Sequence, residues 1–148
     1  MPRLIDHLDG LYVSTLERVE LLRCACAASA PDPAQLSSAR LGLMAVSAKR
    51  SRFLHDEVYP LLIAASVAAF GARVQELEAD LSRKRAITSQ HISHWSLPAI
   101  RADWPGYRRA VARITKGVED RVAEEKAFIL PALEAVTAMQ ALRKEDAA

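Results

Sequence analysis

The last third of the chain constrains the fold most, because its apolar positions keep a single period over many turns. Tyr107, Val111, Ile114, Val118, Arg121, Glu125, Phe128 and Ala132 follow one another at alternating spacings of four and three residues. That spacing returns to one face of an α-helix and is incompatible with the two-residue period of a strand. The same period recurs three times upstream. Leu4, Leu8, Leu11, Thr15, Val19, Leu22 and Cys26 form the first stripe, and Leu36, Leu43, Val46, Arg50, Leu54, Val58 and Leu61 the second. Val74, Leu77, Leu81, Lys84, Thr88, His91 and Trp95 trace a third, less regular one.

Turn signals divide these stripes. Asp32 ahead of Pro33 and Asp103 ahead of Pro105 each join a capping carboxylate to a proline suited to a first helical turn. Gly71 marks a further break. The expected helices therefore run over about 3–29, 33–70, 72–102 and 104–144. Four amphipathic helices with short connections fold most simply as a single-domain, all-α, antiparallel up-down-up-down four-helix bundle. A chain of 148 residues suffices for one continuous core. Its few aromatic residues and abundant alanine favour helices over a sheet.

Charge narrows the function classes. Twenty basic and 18 acidic residues are spread along the chain for a net charge of +2, which gives no reason to expect a nucleic-acid partner. Basic clusters at Arg83, Lys84 and Arg85 and at Arg108, Arg109 and Arg113 read as solvated helix faces. The apolar run from Val58 to Phe70 is too short and interrupted to span a bilayer, and the amino terminus lacks a secretory pattern. Cys24 and Cys26 point to nearly opposite sides of a helix, so they are expected to be buried reduced thiols in a cytoplasmic protein. No glycine-rich phosphate loop and no serine–histidine–acid arrangement occurs.

Two prolines sit inside helical patterns that continue past them. Arg50 to Leu62 reads RSRFLHDEVYPLL and Arg121 to Leu133 reads RVAEEKAFILPAL. Aligned on Pro60 and Pro131, arginine lies over arginine ten residues upstream and leucine over leucine two residues downstream. The shared pattern implies duplication of a helical hairpin.

A helix with acidic residues, two apolar residues, then proline-apolar-leucine, present twice, resembles the hemerythrin-like (HHE cation-binding) domain. Asp103-Trp104-Pro105-Gly106-Tyr107 is similar to that family's link into its last helix. The resemblance implies a pair of irons inside the bundle, held by histidines and carboxylates from four helices. The second and fourth helices would each supply a histidine and, four residues later, a glutamate, stacked on one face. This chain departs from that pattern. Glu125 matches the glutamate of the fourth helix, but Arg121 holds the histidine position. Arg50 and Leu54 hold both positions on the second helix. The first-helix position falls near Leu11 or Tyr12, and the third near Lys84. Arginine does not deprotonate to bind a metal, and its charge repels one.

The expectation from this comparison is that no metal cofactor is bound. Arg50, Lys84, Arg121 and Glu125 then become core polar residues at the former metal positions, with Glu125 pairing to Arg50 or Arg121. In the competing arrangement both arginines lie at stripe edges and direct their charges outward. An alternative keeps iron at an altered site of His55, His91 and Glu125. Against it, His55 lies one residue, about 100°, off the helix face of Arg50 and Leu54. His7 and His94 lie near helix ends, and histidines in such places are ordinarily exposed or locally hydrogen-bonded. The function expected is a non-enzymatic regulatory or protein-interaction module, working through a partner or self-association. The alternatives are an oxygen-, nitric oxide- or iron-handling protein, and a small-molecule sensor with a cavity at the former metal site.

Overall fold

The computed structural model describes residues 2–65 and 68–147, and these are helical almost throughout, with no strand among them. Helix α1 spans Pro2–Cys26, α2 Pro33–Phe53, α3 Tyr59–Ala64, α4 Ala68–His94, α5 Leu97–Ala102 and α6 Trp104–Ala147. A π-helical turn, Leu54–Val58, joins α2 to α3 without a break in helical backbone angles. Helix α1 packs against α2 and α6, α3 against α4 and α6, and α5 against α6.

Local chemistry sets the helix starts. The Asp32 carboxylate accepts from the Ala34 and Gln35 amides, and Pro33 opens α2 where no amide hydrogen is required. Asp103 accepts from the Gly106 amide at 3.0 Å at the head of α6. Glycine at 106 leaves room for this cap, because a β-carbon there would push the Asp103 carboxylate aside.

Two boundaries differ from the periodicity. Gly71 does not end a helix; it lies within α4, and the preceding helix closes at Ala64, followed by a turn at Ala65. A helical glycine costs only about 1 kcal/mol relative to alanine, which flanking helix formers offset. The stretch expected as one helix over 72–102 is also interrupted, at Trp95-Ser96. Ser96 caps the new helix α5 by accepting from the Ala99 amide, and Pro98 sits in its first turn.

The two internal prolines are accommodated differently. Pro60 follows the π-turn, in which the Tyr59 amide bonds the Leu54 carbonyl, five residues back. The wider turn gives room where a proline ring would crowd the preceding carbonyls. Pro131 stands inside α6, which runs through it without such a turn.

The buried apolar side chains form two clusters. One gathers Leu8, Tyr12, Leu54, Val58, Leu62, Leu77, Ile129 and Leu133; the other gathers Val19, Leu22, Leu36, Leu43, Ile100, Tyr107 and Val111. Buried polar side chains of intervening positions (Thr15, Arg50, Thr115, Arg121 and Glu125) belong to neither.

Candidate functional site: a buried arginine–carboxylate network

Glu125 is the centre of the interior polar group. It sits on the inward stripe of α6 with its side chain 1% exposed, and both carboxylate oxygens face guanidiniums. Arg121, one turn earlier and 2% exposed, donates from Nε to Glu125 Oε1 at 2.8 Å. Arg50 of α2, 5% exposed, brings its Nε within 3.2 Å of Glu125 Oε2. This second contact is an ion pair and not an aligned hydrogen bond, since neither atom meets hydrogen-bond geometry.

The remaining donors are taken up by other elements. Arg121 Nη2 donates to the Leu77 carbonyl of α4 at 3.0 Å, and Nη1 to Asp80 Oδ2, also at 3.0 Å. Arg50 Nη1 donates to Thr15 Oγ1 at 3.2 Å, and that hydroxyl donates onward to the Leu11 carbonyl at 2.7 Å. Four helices thus meet in one network, with two guanidiniums balanced by two carboxylates. A buried charge is tolerated only with such pairing.

Electrostatics follow from this geometry. Burial opposes the charge of Arg121, but its hydrogen bond to Glu125 and the negative charges of Glu125 and Asp80 together outweigh that and hold the guanidinium above its ordinary value. Burial also acts against the Asp80 charge, and Lys84 and then Arg121 overcome it, lowering that carboxyl. Two phenols border the group. Burial, reinforced by the Glu125 charge, pushes Tyr59 up to about 12, and the same two causes raise Tyr12 further. Both therefore stay protonated near neutral pH.

Lys84 does not share the interior. It lies at the rim, 36% exposed, with Nζ 3.2 Å from Asp80 Oδ2. Nor does the structure bring His55, His91 and Glu125 together. His55 lies in the π-turn with its side chain 72% exposed, its Nδ1 3.1 Å from Glu78 Oε1. His91 stacks on Tyr107, 5.9 Å between ring centroids, beside Trp95 and the second apolar cluster. Its pKa is lowered, first by burial and then by Arg40, His94 and Arg113. His94 packs edge-on against Trp95, and His7 against Phe53.

These residues do not fit a metal pair. Both oxygens of Glu125 are occupied by cations, and phenols and guanidiniums fill the surrounding positions. Among the described residues no three His, Cys, Asp or Glu side chains are placed to hold a metal ion. What the arrangement does chemically is tie α2, α4 and α6 together through charge and α1 to them through the Thr15 hydroxyl. Sequence spacing did not single out Asp80 or the Leu77 carbonyl, although Leu77 and Lys84 were on the α4 stripe. Asp80 lies three residues after Leu77 and four before Lys84, so it shares their face.

Comparison of the chain with known family models, with curated proteins and with solved structures finds no match.

Proposed function

We propose that this chain is a hemerythrin-like, antiparallel up-down-up-down four-helix bundle in which an arginine–carboxylate network stands where the family holds iron, and that it serves as a non-enzymatic regulatory or protein-interaction module in the cytoplasm. The observation that carries this reading is the convergence of Arg50 and Arg121 on Glu125. Those are the histidine-equivalent positions of the two proline-marked helices and the one retained glutamate. A cation at each histidine position repels metal and consumes the carboxylate that would bind it. The resemblance in sequence supplies the bundle topology, and the absence of a membrane-spanning helix among the described residues accords with a module that works off the membrane.

The test is iron content by mass spectrometry and the visible spectrum of protein produced without a histidine tag. Less than a tenth of an equivalent of iron, with no band from an oxo-bridged ferric pair, is the expected result. Stoichiometric iron held by the folded protein sinks the proposal.

A further inference from the structure

Away from the buried network, an open groove of about 530 Å³ runs along the seam between the end of α1 and the start of α6. Cys26, Ala27, Pro105 and Val111 contribute apolar surface to it. Its charged lining is cationic only: Arg23, Arg108 and Arg109, with no carboxylate among the described lining residues. Arg23 is already engaged by Glu20 and Glu119. Arg108 and Arg109 are exposed, and among the described residues neither has a carboxylate partner. Arg108 lines the groove with Cys26, and its charge opposes the upward push that burial gives that thiol.

We propose that this groove docks an acidic segment of a partner protein, with carboxylates on Arg108 and Arg109 and an apolar side chain against the Cys26–Pro105 floor. The inference rests on the reading of the chain as an interaction module and names the chemistry of its partner. Guanidiniums flanking an apolar floor match a peptide that carries acidic and apolar residues together. A small molecule is a poorer match, because such ligands are ordinarily enclosed on most sides and this groove lies open. A nucleic-acid strand is also a poorer match. No aromatic ring lines the groove to stack a base.

The probe is a panel of fluorescein-labelled dodecapeptides mixing glutamate with leucine or alanine in different orders, read by fluorescence anisotropy on the full chain. Members of the panel should bind, and the Arg108→Glu/Arg109→Glu variant should weaken them by about tenfold or more. Arg143→Glu/Lys144→Glu, at the far end of α6, should stay within about twofold, and circular dichroism should show both variants folded. Four results overturn the proposal: no peptide binds; the groove variant binds as well as the parent; inorganic phosphate displaces the peptides at matching concentration; or a single-stranded oligonucleotide binds more tightly than any peptide. A metal-free protein that ignores every peptide removes the groove but leaves the module reading intact. Stoichiometric iron removes the module reading whatever the peptides do.

Discussion

Replacing Glu125 by alanine leaves two guanidiniums, each at most 5% exposed, without their shared counter-charge. The expected loss is about 3 kcal/mol or more, read as a lower midpoint in urea unfolding. Glu125→Gln should lose less, because one oxygen still accepts from Arg121. A loss under about 1 kcal/mol for alanine would match solvent-exposed pairs and contradict the burial described. At this scale part of the network was legible in the sequence. Arg50, Arg121 and Glu125 sit at stripe positions, so their helix face followed from spacing alone. Which carboxylate oxygen each arginine reaches did not follow, nor did the recruitment of a carbonyl on α4. Those depend on how far apart the helices lie and on side-chain rotamers, which a period does not encode.

Among the elements, the prolines separate two ways of continuing a helix. Pro131 leaves a carbonyl unpaired inside α6 and its ring is exposed, so Pro131→Ala should stabilise the fold by about 1 kcal/mol or more. Pro60→Ala should gain less, since the π-turn ahead of it already relieves the crowding. Thermal midpoints of the two variants provide the comparison, and an equal gain at both sites would show that the π-turn relieves nothing. The capped starts at Asp32 and Asp103 were readable because capping needs only local sequence. Helix α5 carried a readable signal as well, Ser96 followed by Pro98. The long stripe obscured it, since a hydrophobic period continues across a short interruption when both pieces pack on the same core. Gly71 misled for the opposite reason: a glycine inside a helix is a modest cost, not a stop.

For the whole molecule, pH acts through two groups in different surroundings. His91, packed on Tyr107, has a folded pKa below its ordinary 6.5. As pH falls, the unfolded chain takes up that proton first, so the contribution is complete above about 6.5 and is lost progressively below it. Asp80, beside Lys84 and Arg121, has a lowered folded pKa; its contribution is present above the ordinary 3.8 and is lost as pH falls through the lower folded value. The thermal midpoint should therefore decline between about pH 7 and pH 5, with His91→Gln flattening that stretch and leaving the steeper acid loss in place. An unchanged profile in the variant would remove His91 as the cause.

The charged layer between the two apolar clusters also sets the axial alignment of the helices. Apolar contacts alone tolerate sliding, because one leucine resembles the next a turn away. A slide of α6 by one turn, about 5.4 Å, would keep Arg121 beside Glu125 but carry Glu125 off Arg50 of α2 and Arg121 off Asp80 and the Leu77 carbonyl of α4, leaving buried charge without its cross-helix partners. The network thus works as a key that admits one register. Replacing Arg50, Arg121 and Glu125 together by methionine and leucine should leave the helices formed and comparably stable. It should also broaden the amide resonances of α6, as slipped alignments become populated. Narrow, single resonances in that variant would place the register in the apolar packing instead.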